Sequence, residues 1–318
     1  MRAIGHIVGL AALGLLTGFV SFASAGTIRH DREDQAYLDL GAQFASVGFI
    51  TGSTASSGFA ASGILIADDW VLTAAHVVDD ATSLNFTIGG TTYSAADWQA
   101  YPKWTGDLWA GYDIGLINLS SPVESIAPAQ RYTGRKELGA EATIVGYGMT
   151  GTGERGAELF DGQRRAGENV IDALYKEARK SQYLLLCDFD NPDDPDDNVF
   201  GSAEPLDLEF LIAPGDSGGG LFLDIRGTLL LAGVNSFIGW NDGAGDSDYG
   251  DISGHTRVSV FNGWIDDVIG SGGGGGGKGK GKPPWAGPKK SSGVVPEPAT
   301  LGLLAVGGLA LLRRRRAI

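Results

Sequence analysis

The sequence predicts an all-β fold, an antiparallel barrel or sandwich closed by one short helix, on three observations. From about residue 44 to 147 short apolar runs alternate with turn signals, glycine reaches 51 of 318 residues, and helical charge periodicity is scarce. The runs have strand length: Gly63-Ile64-Leu65-Ile66-Ala67, Trp70-Val71-Leu72-Thr73, Ile114-Gly115-Leu116-Ile117-Asn118-Leu119 and Ala142-Thr143-Ile144-Val145. Asp68-Asp69, Gly89-Gly90 and Ser120-Ser121-Pro122 punctuate them, as turns between short antiparallel strands require. Strand-like runs return at residues 208–212, 221–224, 229–234 and 256–261. Trp264-Ile265-Asp266-Asp267-Val268-Ile269 reads as the closing helix.

These runs belong to one domain over residues 26–269. Residues 148–205 read as a long insertion within it, Gly-rich at first and carrying six Asp and two Pro between 188 and 198. Residues 270–294, a Gly run with Lys-Gly repeats and Pro, read as a flexible linker. No internal repeat stands out.

Both ends carry processing signals. Residues 1–25 combine Arg2, an apolar run over 7–20 and Ala23-Ser24-Ala25, which together read as an export signal cut after Ala25. At the other end, Val295-Pro296-Glu297-Pro298-Ala299-Thr300 precedes an apolar stretch over 301–312 and Arg313-Arg314-Arg315-Arg316. Residues 295–318 resemble the PEP-CTERM sorting tag of Gram-negative bacteria, which implies removal by an exosortase-type enzyme and a secreted or cell-surface protein. The twelve apolar residues would span about 18 Å of helix, short of a ~30 Å hydrocarbon core, so the segment suits a transient anchor.

Without the two tags, residues 26–296 carry a formal charge of −18, which excludes nucleic acid and anionic lipid as partners. The one cysteine, Cys187, forbids an intrachain disulfide and reads as a small buried side chain rather than a catalytic thiol. A monomer is expected.

A serine hydroxyl becomes a nucleophile when a base takes its proton and a third group orients that base. Of four histidines, His6 leaves with the export signal, so His30, His76 and His255 remain as bases. His76 ends the apolar run Trp70-Val71-Leu72-Thr73-Ala74-Ala75, whose small residues allow close approach. Asp113 opens the apolar run Ile114-Gly115-Leu116-Ile117, which would bury its carboxylate. Ser217 stands in Pro214-Gly215-Asp216-Ser217-Gly218-Gly219-Gly220, where glycine permits a strained backbone with two N–H groups aimed at one oxyanion. Each residue also has an ordinary reading, as core histidine, turn acid or turn serine; the joint pattern outweighs these.

Thr73-Ala74-Ala75-His76, Asp113-Ile114-Gly115-Leu116 and Gly215-Asp216-Ser217-Gly218-Gly219 resemble the three blocks of the chymotrypsin/trypsin-like serine proteases, in that family's order. Val145-Gly146-Tyr147-Gly148 and Gly233-Val234-Asn235-Ser236-Phe237 are similar to further family segments, and the likeness covers about residues 44–269. It implies two six-stranded antiparallel β-barrels of the chymotrypsin type, a short C-terminal helix and a serine endopeptidase needing no cofactor. By position it implies Ser217 as nucleophile, His76 as base, Asp113 as its orienting acid, and the Gly215 and Ser217 N–H groups as oxyanion hole.

The chain departs from that pattern in instructive places. Val77 and Ala213 stand where cysteines are common, so the barrels must hold by packing alone. The family pairs a new N-terminal ammonium with the acid before the serine, here Asp216. This chain lacks the usual start, the nearest candidate being Ser46-Val47-Gly48-Phe49, and Arg29 or His30 is the expected cation instead. The primary pocket falls on Leu211 as floor with Ser236, Phe237, Ile238, Ser253 and Gly254 as walls. No carboxylate is among them, so cleavage after apolar or small residues is expected; His255 near the wall offers the alternative of acidic ones. Acidic loops at residues 188–194 and 242–251 could hold calcium, against the plainer reading of solvated loops.

Two other functions fit parts of the sequence. Gly215-Asp216-Ser217-Gly218-Gly219 also satisfies the nucleophile elbow of an α/β-hydrolase, with His255 as base and an acid between residues 242 and 251. A non-catalytic, surface-sorted binding module on a protease-like barrel is the second, although such a module needs none of the three catalytic side chains.

Overall fold

A computed structural model describes residues 26–175, 183–240 and 243–272. The export signal, nearly all of the linker and the sorting segment lie outside the described residues. The chain begins with β1 (Gly26–Ile28) and helix α1 (Asp34–Gly41), then enters six strands: β2 (Val47–Ser53), β3 (Gly58–Ala67), β4 (Trp70–Thr73), β5 (Ser83–Ile88), β6 (Thr91–Ala100) and β7 (Gly115–Leu119). They close into a barrel in the order β2-β3-β4-β7-β6-β5. The short helix α2 (Ala75–Val78) follows β4.

Alternation explains the closure. Along β5, Leu84, Phe86 and Ile88 point inward while the residues between them face out, the period of two that a one-sided strand needs. Ile50, Ile64, Leu72, Leu116 and Phe86 are fully buried at the centre. Each such side chain contributes about 1.5–3 kcal/mol by leaving water.

The second half builds an eight-stranded sheet where six strands were expected. It comprises β8 (Gln130–Arg131), β9 (Glu141–Gly146), β12 (Arg165–Val170), β13 (Ala173–Tyr175), β14 (Leu184–Asp188), β16 (Gly220–Asp224), β17 (Leu229–Gly239) and β18 (Ile252–Arg257). Its main path runs β12-β9-β16-β17-β18-β14-β13, with β8 parallel to β17. A smaller sheet, β11-β10-β1-β15, adds β10 (Met149–Thr152), β11 (Gly156–Phe160) and β15 (Phe210–Leu211). Residues 148–205, read from composition as an insertion, thus supply β12, β13 and β14 to the main sheet.

One apolar core joins the halves, running from Ile64 and Leu72 of the barrel to Val145, Phe222 and Val234 of the sheet. Helix α3 (Asn262–Gly272), where the closing helix was expected, buries Ile265 and Val268 against it. Cys187 is buried and its thiol pKa is pushed up by desolvation, so it is an inert core group.

Four carboxyls gather near the exit of β14. Burial raises Asp172 and Asp190 to about 6, Asp188 to about 7 and Glu209 to about 9. Backbone donors temper this: Val199 and Phe200 N–H to Asp188, and Leu206 N–H to Glu209. An acid whose pKa is raised by folding holds its proton more tightly when folded, so its cost to stability grows as pH rises towards that pKa. His255, buried and lowered to about 3 by desolvation, acts in the opposite sense, but only as pH falls below its ordinary 6.5. The melting temperature should therefore be higher at pH 6.5 than at pH 9, and Glu209→Gln should flatten that slope. Calorimetry showing a level or rising Tm over this range would contradict the assignment.

Candidate active site

The site forms at the seam between barrel and sheet. Ala74 is extended (φ −76°, ψ 151°), and the chain turns there from β4 into α2, placing His76 at the barrel's edge. Its side chain is one-third exposed, whereas Asp113, just before β7, is fully buried. Asp113 Oδ1 accepts the His76 backbone N–H at 2.9 Å, and Oδ2 meets His76 Nδ1 at 2.7 Å. Oδ2 also accepts the Ser236 hydroxyl from β17 at 2.5 Å, while Thr256 Oγ1 of β18 donates to the Asp113 carbonyl at 2.8 Å. Desolvation of the imidazole lowers its pKa, but the Asp113 charge and hydrogen bond together outweigh this, so the His76 pKa lies above the ordinary 6.5.

Ser217 reaches the same seam from the sheet side. Its carbonyl accepts the Ser62 N–H at 2.9 Å, and the next residue, Gly218, donates to the Asn235 carbonyl at 2.8 Å. A Cβ on Gly218 (φ +83°) would fall 2.0 Å from Thr73 Oγ1, so only glycine lets this turn seat against the strand leading to His76. Among the described residues, the Gly215 and Ser217 N–H groups have no protein acceptor. The intervening Asp216 N–H donates to the Ala213 carbonyl, and Gly215 has φ +99°. A half-buried serine on a turn with two unengaged amides, together with an imidazole oriented by a buried carboxylate, supplies the parts that acyl-transfer chemistry needs.

A family model described as Trypsin matches residues 41–265. The chain belongs to the trypsin family. A dog (Canis lupus familiaris) chymotrypsin-like elastase family member 1 is 28% identical over 66% of this chain and 81% of its own length. A trypsin of Phaedon cochleariae is 26% identical over 64% and 77%. The HL collagenase structure overlays with a TM-score of 0.53 at 22% identity, over 71% of this chain and 94% of that one. The chain is accordingly a serine-type endopeptidase. A second model, the PEP-CTERM protein-sorting motif, matches residues 294–316 and implies an extracellular or cell-surface protein of a Gram-negative bacterium. The all-β architecture removes the α/β-hydrolase alternative.

The expected wall residues of the pocket fall on the neighbouring strands β17 and β18, with Ile238 opposite Ser253 and Phe237 opposite Gly254, whereas the expected floor, Leu211, lies on β15 of the smaller sheet. The Phe237 ring occupies the space that a Cβ on Gly254 would need and packs on Trp109 at 4.7 Å. Leu211 is buried and paired with Thr27. Ser236, expected as wall, instead has its hydroxyl engaged by Asp113, a partnership that only the fold reveals. His255 does not face Ser217. Its Nδ1 lies 3.0 Å from Asn235 Oδ1 and its Nε2 2.9 Å from Ser253 Oγ, and its lowered pKa keeps it neutral. Asn235 Nδ2 donates to the Val145 carbonyl, so Oδ1 accepts from Nδ1–H and the Ser253 hydroxyl donates to Nε2.

Neither expected cation reaches Asp216. Arg29 is held by Asp31 at 2.8 and 2.7 Å and by the Leu206 carbonyl, and His30 by Tyr249 Oη and Asp193. The fully buried Asp216 carboxylate accepts Gly148 N–H at 2.8 Å and Ala213 N–H at 2.9 Å, and burial lifts its pKa to about 7. β1 points at these two donors. Gly26 is paired in parallel with Thr150, two residues after Gly148, and Thr27 is antiparallel to Leu211, two residues before Ala213. The Phe210 ring sits 1.8 Å from where a Gly26 Cβ would be, which fixes this end of the strand.

Proposed function

We propose that the mature protease cleaves peptide bonds outside the cell through Ser217, His76 and Asp113, after apolar or small residues. The carrying observation is the buried Asp113 carboxylate, which receives the His76 backbone, the His76 ring and Ser236 beside the unengaged Gly215 and Ser217 amides. Ser217 Oγ attacks the scissile carbonyl carbon while His76 Nε2 takes its proton. The oxyanion is received by the Gly215 and Ser217 N–H groups. Collapse expels the amine, which takes the proton from His76, and leaves an acyl group on Ser217. Water, activated by the same imidazole, hydrolyses the ester and restores the serine.

Asp113→Asn keeps the size of the side chain but inverts the hydrogen-bond pattern at His76. It should lower kcat on the order of 10⁴-fold, the effect known for the serine-protease triad from which this value comes, and move the acid limb of kcat/KM to lower pH. Steady-state kinetics on peptide amides check both; an unmoved acid limb would contradict the assignment of His76 as base.

The pocket residues Leu211, Phe237, Ile238 and Ser253 bring no charge, and His255 stays neutral at working pH. Peptides with Ala, Val or Leu before the cut bond should exceed their Arg counterparts in kcat/KM by at least about tenfold. The opposite order would overturn the pocket assignment.

Cleavage after Ala25 also explains Asp216. A chain starting at Gly26 carries its ammonium at the end of β1 that faces the Gly148 and Ala213 amides, and hence Asp216. Burying a charge without its partner costs roughly 3–5 kcal/mol, enough to withdraw the Gly215–Ser217 turn from its active geometry. Protein beginning at Gly26 should exceed protein with one extra N-terminal residue at least ~100-fold in titratable active sites. Equal titres would exclude the ammonium.

A further inference from the structure

We propose a calcium-class cation site in the loop between β17 and β18, built from Asp246, Asp248, Asp251 and the Ser247 hydroxyl. It rests on the fold alone and not on the catalytic reading. One carboxylate oxygen from each of the three aspartates lies within 4.8 Å of the others. Three carboxylates this close repel one another, and a cation bound among them relieves that repulsion. Asp251 is 1% exposed, Asp248 is half-buried and Asp246 is exposed, so the cluster is anchored inside and open to solvent on one side.

A second observation points to a ligand. Among the described residues, Ser247 Oγ is a buried side-chain oxygen that lacks any hydrogen-bond partner. Ser247 is fully buried. It stands between Asp246 and Asp248 in sequence, and its backbone N–H donates to Asp251 Oδ2 at 2.9 Å, so its side chain starts beside that carboxylate. A buried hydroxyl oxygen with no donor to accept from is a ready hard ligand. Oxygen donors alone, on an irregular loop open to water, suit calcium with waters completing its shell. The absence of thiolate or imidazole from the set disfavours zinc.

The loop's other bonds say what an ion would brace. The Asp246 carbonyl accepts Ala157 N–H at 2.6 Å, Tyr249 N–H reaches the Gly153 carbonyl at 2.9 Å, and Gly250 N–H the Phe189 carbonyl at 3.0 Å. The cation would hold the β10–β11 hairpin, the exit of β14 and the start of β18 in one arrangement.

The test uses the mature protein freed of metal with EDTA. Calcium chloride at ~5 mM, above the 10⁻⁴–10⁻³ M dissociation constants common for extracellular modules, should raise Tm. Terbium should give luminescence sensitised by the nearby Trp240 and Tyr249. The double variant Asp246→Asn/Asp248→Asn should lose both responses while melting in EDTA at or above the wild-type temperature, because the repulsion is relieved. Absence of a calcium-dependent shift and of terbium emission in the wild type would overturn the site, as would equal responses in the variant. Neither readout depends on peptide hydrolysis, so failure here is separable from failure of the catalytic assignment.

Discussion

The Asp113 carboxylate takes hydrogen bonds from both halves of the molecule at once. His76, from the closed barrel, supplies a backbone and a ring donor, and Ser236, from the second sheet, supplies a hydroxyl. Hydrogen bonds to a charged group contribute about 1.5–3 kcal/mol each, and a buried carboxylate that loses its donors costs more than it returns. The seam cannot shift without breaking one of these bonds. The alignment of barrel and sheet and the orientation of the His76 imidazole are therefore one constraint. The common apolar core and the Thr256 hydroxyl on the Asp113 carbonyl hold the same alignment from behind.

Asp216 poses a second, dependent constraint. Its carboxylate is buried between two amides, one from the segment before β10 and one from the segment after β15. Those segments flank β1, so β1 is part of the support beneath the Gly215–Ser217 turn. With no disulfide available, this three-way junction of β1, β10 and β15 does by hydrogen bonding what a covalent clip could do elsewhere.

The parts of the site legible in the sequence are those written in contiguous residues. The runs ending at His76 and starting at Asp113, and the glycines around Ser217, each carry local backbone requirements that a linear reading can see. The barrel strands are legible as short apolar runs set between turn residues, and the closing helix as the segment 264–269 that follows the last of them. Ser236 was readable as a pocket residue but not as the partner of Asp113, because that contact spans 123 positions. β12 was hidden by polar and small residues, Arg165-Ala166-Gly167-Glu168-Asn169-Val170, whose strand identity comes from pairing with β9. β1 has three residues and no pattern of its own; its register comes from β10 and β15. With no dibasic or Arg activation site before Val47, the sequence points to Arg29 or His30 as the cation for Asp216, whereas Asp31, Tyr249 and Asp193 engage them.

Covalent labelling tests the central claim most directly. Mature protein treated with a serine-directed phosphonate should gain one adduct, mapped by mass spectrometry to the peptide containing Ser217, and His76→Ala should abolish its formation. An adduct elsewhere, no adduct, or labelling indifferent to His76 would contradict a catalytic centre organised by Asp113 at the seam.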